Sequence, residues 1–398
     1  KWNNDVNAYY LGIKEIIEND KWKYSISNNG NVSIIDYYGN DEEIDLTSEN
    51  FDGTITTIGG NAFREKNITS IIFPSTLTHI QDYAFFETKL KNIVIPSAVK
   101  YIGTSAFAYS DLESIVFEND SQLTILDSNA FEYCKKLEKV TLPKNLKRLG
   151  SSAFYKSGII IVNFEDGIKI ETIPTMAFAS TRLTGIIVPS SVTTIGEGAF
   201  RDTTTLKKIT YSNKLDLLSN SFYNTGLTEL IIDENINYIG EYSLVKLINL
   251  ESFVVSENNK YYKSVDGLLY TKDGKKLISV PAGKTGKVVL PKEVETIGFG
   301  AFEGSKVSEV EFDKNTSLLT IGYRAFYNAK NIKSITIPRS VISIDYYAFA
   351  LCENLQEVIF EENSSLKGIY EGAFYKCKSL SNIIIPNNIY EIADYALV

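Results

Sequence analysis

The chain has 398 residues, of which 44% are apolar and 22% charged, and this composition is typical of a protein with a packed core. The formal net charge of −9 argues against nucleic acids and anionic membranes as partners, because both attract clustered Lys and Arg. The longest purely apolar stretches have about five residues, whereas a bilayer-spanning helix needs about 20. We therefore expect no nucleic-acid binding and no membrane insertion by this chain.

The N-terminal segment, residues 1–21, is predicted to form a helix. After Asp5, a favourable N-cap, apolar residues recur at helical spacing at Val6, Tyr9, Ile13, Ile16 and Ile17. Residues 22–66 alternate like two or three strands around an Asn-Asn-Gly turn and then enter a repeat. Because the end of a repeat array must be covered, we interpret this region as an N-terminal cap with the first repeat.

The dipeptide Ala-Phe, or a close equivalent, recurs along the chain at steps of 22 to 25 residues. The apolar anchor of each repeat is Phe63, Phe85, Phe107, Phe131, Phe154, Phe178, Phe200, Phe222, Leu244, Phe302, Phe326, Phe349, Phe374 or Leu397. This period indicates a solenoid of about fourteen repeats, and the one step of 58 residues contains a repeat and about 36 further residues. Repeats are assigned to residues 67–256 and 287–398. Because the second array ends at an anchor residue, it is predicted to be C-terminally incomplete.

A single repeat, "LKNIVIPSAVKYIGTSAF" over residues 90–107, predicts the local structure. Leu90, Ile93 and Ile95 have the spacing of one short strand that buries alternate residues. About a dozen residues remain to turn the chain back, which leaves room for a turn or one or two helical turns around Ala-Phe. We therefore predict an α/β solenoid with one short strand per repeat, in which the Phe rings stack into a spine.

Seven repeats carry a glycine four residues before the anchor, which raises the question of a Gly-rich phosphate-binding loop. Such a loop needs one Gly-rich turn between a strand and a longer helix, with Lys and Ser or Thr at set places. Seven copies around a solenoid are better explained as turn residues. These glycines are Gly59, Gly103, Gly150, Gly196, Gly240, Gly298 and Gly322.

Few residues are suited to catalysis or metal binding. The only histidine, His79, occupies a variable and solvated place, which removes His-based triads and most zinc sites. Acidic residues such as Glu118 and Glu165 follow the strand where Pro is absent, and we interpret them as solvated turns rather than a calcium-binding edge. The position three residues after the anchor carries a small side chain in most repeats and a cysteine in three of them. The three thiols are predicted to be buried and inert: Cys134, Cys352 and Cys377. We expect no enzyme activity, no cofactor and no metal.

Residues 257–286 interrupt the array. The stretch "VDGLLYTKDGKKLISVP" places two strand-like runs on either side of Asp273-Gly274, which predicts an inserted β-hairpin. A variant repeat, a dedicated binding finger and a hinge remain open as interpretations of this segment.

The pattern I-P-x-x-V-x-x-I-G-x-x-A-F, as in "IPSAVKYIGTSAF", resembles the BspA-like leucine-rich repeats over residues 51–398. This family resemblance implies a right-handed α/β solenoid, often exported or attached to the cell surface, that acts in adhesion to host or matrix proteins or to other microbes. It therefore implies an extracellular or cell-surface location and a host, matrix or microbial surface protein as the partner. We expect the chain to be a monomer.

The concave strand face is the predicted partner-binding surface. The residue at the fifth position of the strand pattern L-x-x-I-x-I points away from the core and is usually β-branched. We call this outward residue of each repeat a rung. Three apolar rungs in a row form a patch of the kind that marks interaction sites. Strand propensity alone also favours such residues at exposed places. The predicted partner-binding residues are Ile72, Val94, Val116, Asn92, Lys139, Thr141, Asn163 and Ile187.

Two alternatives to protein recognition remain. A carbohydrate-binding surface protein would use the Tyr residues that crowd around the anchors on the convex side, because aromatic rows can stack sugars. A passive surface scaffold would use neither surface.

Overall fold

The structure, a computed structural model, describes residues 12–397 and contains strands and turns but no helix in that range. The predicted α/β class is therefore corrected to a solenoid built from strands alone, with two short strands in a typical repeat rather than one. The chain divides into two compact units. Unit 1 comprises Lys1–Thr203 and Thr210–Asn213, and unit 2 comprises Thr204–Ile209 and Lys214–Val398.

The strands of unit 1 are β1 (Ile13–Glu18), β2 (Trp22–Ser27), β3 (Asn31–Tyr37), β4 (Glu43–Asp45), β5 (Thr54–Ile58), β6 (Ser70–Ile72), β7 (His79–Ile80), β8 (Asn92–Ile95), β9 (Tyr101–Ile102), β10 (Ser114–Phe117), β11 (Ile125–Leu126), β12 (Lys139–Leu142), β13 (Arg148–Leu149), β14 (Ile161–Phe164), β15 (Thr172–Ile173), β16 (Gly185–Ile187) and β17 (Thr194–Ile195). A further strand, β18 (Lys208–Thr210), lies where the chain divides between the units.

The N-terminal part of unit 1 is an antiparallel sheet. Strand β1 pairs with β2, β2 pairs with β3, and β3 then pairs in parallel with β5 of the first coil. The helix predicted within residues 1–21 is wrong for Ile13–Glu18, which form β1, and residues 1–11 lie outside the described residues. Pairing with β2 satisfies the backbone of this Ile-rich segment and overrides its helical spacing.

Each typical coil of unit 1 contributes one strand to each of two faces. The first face holds β6, β8, β10, β12, β14 and β16, and the second holds β7, β9, β11, β13, β15 and β17. Neighbouring coils are parallel and in register, so that Val116 lies opposite Val94 and Leu126 lies opposite Ile102. Because alternate residues of a strand point to opposite sides, one set fills the core and the other faces outward.

The Ala-Phe segment is a series of turns, which replaces the predicted helical turns. In one coil, the Tyr83, Phe85 and Glu87 N–H groups donate to carbonyls of the next coil at 2.7 to 2.9 Å. Alternate N–H groups close turns within their own coil, such as Ala84 N–H to the Gln81 carbonyl at 3.3 Å. Tyr83 and Glu87 have φ angles of 57° and 55°, the left-handed conformation that a type II turn needs at its third residue.

The predicted spine of stacked Phe rings is confirmed within each unit. In unit 1 the rings from Phe63 to Phe200 follow one another at centroid distances of 5.0 to 5.8 Å with interplanar angles of 2° to 11°. In unit 2 the rings from Phe302 to Phe374 do so at 4.5 to 5.1 Å. A Cβ at Gly150 would overlap backbone atoms of Asp127 and Ser128, so this glycine permits close packing of two coils.

The strands of unit 2 are β19 (Leu215–Leu217), β20 (Ile231–Ile232), β21 (Ile236–Ile239), β22 (Val254–Val255), β23 (Tyr262–Val265), β24 (Leu268–Thr271), β25 (Lys276–Ser279), β26 (Thr285–Leu290), β27 (Thr296–Ile297), β28 (Lys306–Phe312), β29 (Thr320–Ile321), β30 (Ser334–Ile337), β31 (Ser343–Ile344), β32 (Glu357–Phe360), β33 (Gly368–Ile369), β34 (Asn382–Ile383) and β35 (Glu391–Ile392).

Residues 257–286 form part of the solenoid of unit 2. Strands β23, β24 and β25 are successively antiparallel, with one tight turn at Asp266-Gly267 and another after Thr271. Strand β25 then pairs in parallel with β27, as strands of successive coils do elsewhere. Val280 N–H donates to the Ala301 carbonyl at 2.8 Å, the bond that an anchor Phe makes in other coils. These contacts favour the variant-repeat interpretation of the segment.

Candidate functional site

We use the name rung face for the outward surface of β6, β8, β10, β12, β14 and β16 in unit 1, where all eight predicted partner-binding residues lie. Its apolar part is formed by Ile72, Val94 and Val116, whose side chains are 56%, 53% and 53% exposed. Each is β-branched and follows a residue that is buried, namely Ile71, Ile93 or Ile115. The strand alternation therefore forces these three side chains into solvent.

Polar side chains lie beside the apolar rungs. Ser114 and Asn92 face each other across β10 and β8, and the Ser114 hydroxyl donates to Asn92 Oδ1 at 2.7 Å. Further along, Thr141 lies opposite Asn163 and Lys139 lies opposite Ile161, and all four are exposed. The rung face thus changes along unit 1 from apolar to mixed polar character.

Two more exposed apolar residues extend the surface. Ile187 on β16 was predicted from its place in the repeat and is 73% exposed. Ile161 was not predicted, because its place is polar in the preceding coils, and it is 46% exposed. The sequence did contain a sign of this exposure. The run of Ile residues before Asn163 has more apolar residues than the buried side of one short strand can take up.

In some coils a carboxylate stands at the Pro place, the position of the Pro in the repeat pattern I-P-x-x-V. Three such carboxylates accept a hydrogen bond from the turn of the preceding coil. Glu118 Oε2 accepts from Ser97 N–H, Glu165 Oε2 from Lys144 N–H, and both distances are 2.9 Å. Glu361 does the same for Arg339 N–H. In the described residues, no three His, Cys, Asp or Glu side chains are grouped so as to hold a metal ion. Bonds to backbone N–H groups are therefore the observed role of these three carboxylates.

The three thiols are buried and unpaired by disulfides, and each donates to the carbonyl of an anchor Phe in the preceding coil. Cys134 Sγ lies 3.1 Å from the Phe107 carbonyl oxygen. Burial raises the pKa of Cys134 and that of Cys377 to about 12, so neither is a thiolate at neutral pH. In another coil, the hydroxyl of Thr203 occupies the same position and makes the same bond, to the carbonyl of Phe178 in the preceding coil.

His79 lies exposed on β7, on the second face of unit 1. Its Nδ1 is 2.8 Å from the Thr78 hydroxyl, and its ring lies 6.2 Å from that of Tyr101. Partial burial, together with the charge of Lys100, lowers the pKa of His79, which favours the neutral imidazole. These neighbours give His79 no carboxylate partner of the kind that a catalytic triad uses.

Cations cover the ring faces of several Tyr residues near the anchors. Arg324 lies 3.7 Å from the Tyr327 ring centroid, and Lys376 lies 4.9 Å from that of Tyr375. In unit 1, Tyr133 stacks on Tyr109 at 4.6 Å and has the Lys156 ammonium 5.2 Å from its centroid. A sugar stacks on a free aromatic face, and each of these contacts covers one face of its ring.

A cavity of about 140 Å³ lies beside residues 257–286 in unit 2. Tyr242, Tyr262, Lys276 and Phe299 line it, and Glu241 is its single carboxylate. A glycosidase needs two carboxyl groups of different environment. This cavity therefore lacks the chemistry of that reaction.

These features define the class of the protein, a strand-only repeat solenoid with an outward rung face. Sequence comparison matches residues 56–182, 171–265 and 282–398 to the BspA type leucine rich repeat region. The chain therefore belongs to the BspA-type leucine-rich-repeat family, which confirms the resemblance. No curated protein matches the chain in sequence.

Solved structures of bacterial leucine-rich-repeat proteins share this fold. The chain is similar to the pneumococcal vaccine antigen PcpA, with 21% identity, a TM-score of 0.59 and coverage of 97% of this chain and 86% of that one. It is similar to a leucine-rich cell surface protein from Faecalibacterium prausnitzii, with 20% identity, a TM-score of 0.59 and coverage of 96% and 94%. At such identities the likeness shows the fold alone.

Within residues 12–397, the structure contains no helix of the length and apolar character required to cross a membrane.

Proposed function

We propose that this protein is a cell-surface or secreted recognition module that binds a protein partner through the rung face of unit 1. The observation that carries the proposal is the row of Ile72, Val94 and Val116, which expose more than half of each side chain on successive coils. Contiguous exposed apolar surface of this kind marks interaction sites in soluble proteins.

The surroundings of the three rungs also support a protein partner. Asn92 and Ser114 offer an amide and a hydroxyl beside the apolar row, which suits a patch with an apolar centre and a polar rim. A row of short, rigid side chains loses little conformational entropy on binding, since χ1 of Val and Ile is already restricted. Lys139, Thr141, Asn163 and Ile187 would extend the contact.

The proposed location outside the cell rests on the family and on its structural relatives. One relative is described as a leucine rich cell surface protein and another as a vaccine antigen. A surface location would place the rung face where a host, matrix or microbial surface protein could reach it.

The test is surface plasmon resonance of the full chain against immobilised extracellular-matrix and serum proteins. A triple variant, Ile72→Asp, Val94→Asp and Val116→Asp, should abolish saturable binding, because three adjacent carboxylates cannot enter an apolar interface without a counter-charge. The matched control, Thr172→Asp with Thr194→Asp, changes facing residues of the second face and should bind like the unaltered chain.

Binding that survives the triple variant would contradict the proposal. Circular dichroism and a thermal melt of each variant separate loss of the surface from loss of the fold. An immobilised glycan set, run in parallel, tests the carbohydrate alternative, in which Tyr327→Ala and Tyr375→Ala would abolish binding. The covered faces of those two rings give that alternative no support.

A further inference from the structure

A groove in unit 2 has a volume of about 850 Å³ and lies over the outward side of β32 and β34. Its floor is apolar, with Ile359 44% exposed and Ile384 86% exposed. The loops at 361–364 and 386–388 rise beside the strands and form its walls. Ile359 and Ile384 thus line a groove that is open to solvent and apolar along the strands.

Three carboxylates line the groove, and its lining contains no Lys or Arg. They are Glu357 at the start of β32 and Glu361 and Glu362 in the loop that follows. In the part of the chain that the structure describes, none of the three lies in a salt bridge. By contrast, Glu309 and Glu311 on β28 of the same unit share Lys287 as a counter-ion.

Some polar groups of the groove already form hydrogen bonds within the protein. Glu361 Oε2 accepts from Arg339 N–H, and Asn388 Nδ2 donates to the Ser364 carbonyl at 2.6 Å. These bonds fix both walls. Glu357 and Glu362 are exposed, and within the described residues their carboxylates make no hydrogen bond that would compete with a ligand, so their charge is available in the groove.

We propose that this groove binds a cationic, aliphatic segment of a partner protein, with its Lys or Arg side chains against Glu357 and Glu362 and its aliphatic side chains over Ile359 and Ile384. Carboxylates that line a groove without counter-ions attract a cationic side chain that enters it. The aliphatic floor adds burial that a metal ion or a free amine cannot provide. The site is separate from the rung face and does not depend on the function proposed above.

The experiment measures binding of fluorescently labelled, capped hexapeptides to the full chain by anisotropy. The first peptide alternates Val and Lys, the second replaces Lys by Glu, and the third replaces Val by Ser. We expect the Val-Lys peptide to bind best, with an affinity that falls as salt is raised, because exposed charge pairs are screened. The other two peptides should bind at least about tenfold more weakly.

Two variants locate the binding. Glu357→Gln with Glu362→Gln keeps the shape and the aliphatic floor and should weaken the Val-Lys peptide by about tenfold. Ile384→Ser should weaken it by a similar factor while it leaves the salt dependence unchanged. Glu309→Gln, also on an outward strand of unit 2 but paired with Lys287, is the matched control and should have no effect.

Three results would overturn the proposal. One is equal binding of the Val-Lys and Val-Glu peptides, which would show an apolar site without charge selection. Another is unchanged affinity in the Glu357 and Glu362 variant, which would place the site elsewhere. The third is complete displacement of the peptide by roughly 1 to 5 equivalents of Ca²⁺, which would show a metal site instead. All variants change exposed side chains, and a thermal melt checks that each is folded.

Discussion

Ser97 and Glu118 lie one coil apart, and the Glu118 carboxylate accepts a hydrogen bond from the Ser97 N–H at 2.9 Å. Ser97 directly follows Pro96, and Glu118 occupies the Pro place of the next coil. The same relationship joins Lys144 to Glu165 and Arg339 to Glu361. Where Glu replaces Pro in these three coils, it therefore supplies an acceptor to the turn of the coil before it.

This relationship predicts that Glu118→Ala lowers the free energy of unfolding by about 1 kcal/mol, because the Ser97 N–H loses a charged acceptor. Glu118→Gln keeps an acceptor oxygen and should lose less. Urea unfolding followed by circular dichroism measures both changes. Glu113→Ala, an exposed residue just before the same strand, is the control. If Glu118→Ala and Glu113→Ala unfold at the same urea concentration, the turn does not depend on the carboxylate.

The sequence was sufficient to predict the repeat, the Phe spine and the exposed rungs. A period of 22 to 25 residues fixes which residues stack, so Phe85 must lie on Phe107 once the coils are in register. The alternation of Ile93, Val94 and Ile95 then decides which side chain faces solvent. These features depend on apolar residues that recur, and such residues leave a clear pattern.

The second strand and the turns could not be predicted in the same way. Strand β9 has only Tyr101 and Ile102, and it exists because both neighbouring coils bond to it. The left-handed turn places hold residues as different as Tyr83, Ser105 and Met176. Their conformation is fixed by hydrogen bonds to the next coil, which no local pattern reports. The predicted helical turns around Ala-Phe are absent for the same reason, because the N–H groups of these turn residues donate to carbonyls of the next coil and not to carbonyls of a helix.

The left-handed conformation before the anchor Ala predicts a second effect of substitution. Ser152 has a φ of 56°, and Gly198, Gly300 and Gly372 occupy the same place in other coils. Ser152→Val should lower the free energy of unfolding by about 1 to 2 kcal/mol, because a β-branched residue tolerates this conformation poorly. Ser152→Gly should not destabilise the protein. Equal losses for Val and Gly in urea unfolding would mean that backbone strain is not the cause.

Burial of the thiols predicts their reactivity. Because burial raises the pKa of Cys134 and Cys377 to about 12, a disulfide reagent such as DTNB should find almost no thiolate in the native protein at pH 8. In guanidinium chloride all three thiols should react. Cys134→Ser should leave stability nearly unchanged, since in another coil the Thr203 hydroxyl occupies the same position and donates to the carbonyl of Phe178 in the coil before it. Rapid labelling of the native chain would contradict the buried position.

Asp127 predicts how stability depends on pH. Burial raises its pKa, but hydrogen bonds from Ser128 N–H and Arg148 outweigh that effect, and the net pKa is lowered. A carboxyl group whose folded pKa lies below its unfolded value stabilises the fold above about pH 4 and loses that contribution as pH falls through the folded pKa. Asp127→Asn should therefore be less stable than the unaltered chain at pH 7, and the two free energies of unfolding should converge once the pH falls below the folded pKa of Asp127. Asp166→Asn, on an exposed turn, should differ from the unaltered chain by less than about 0.5 kcal/mol at pH 7. A gap for Asp127→Asn that stays constant from pH 7 to pH 2 would show that its charge does not stabilise the fold.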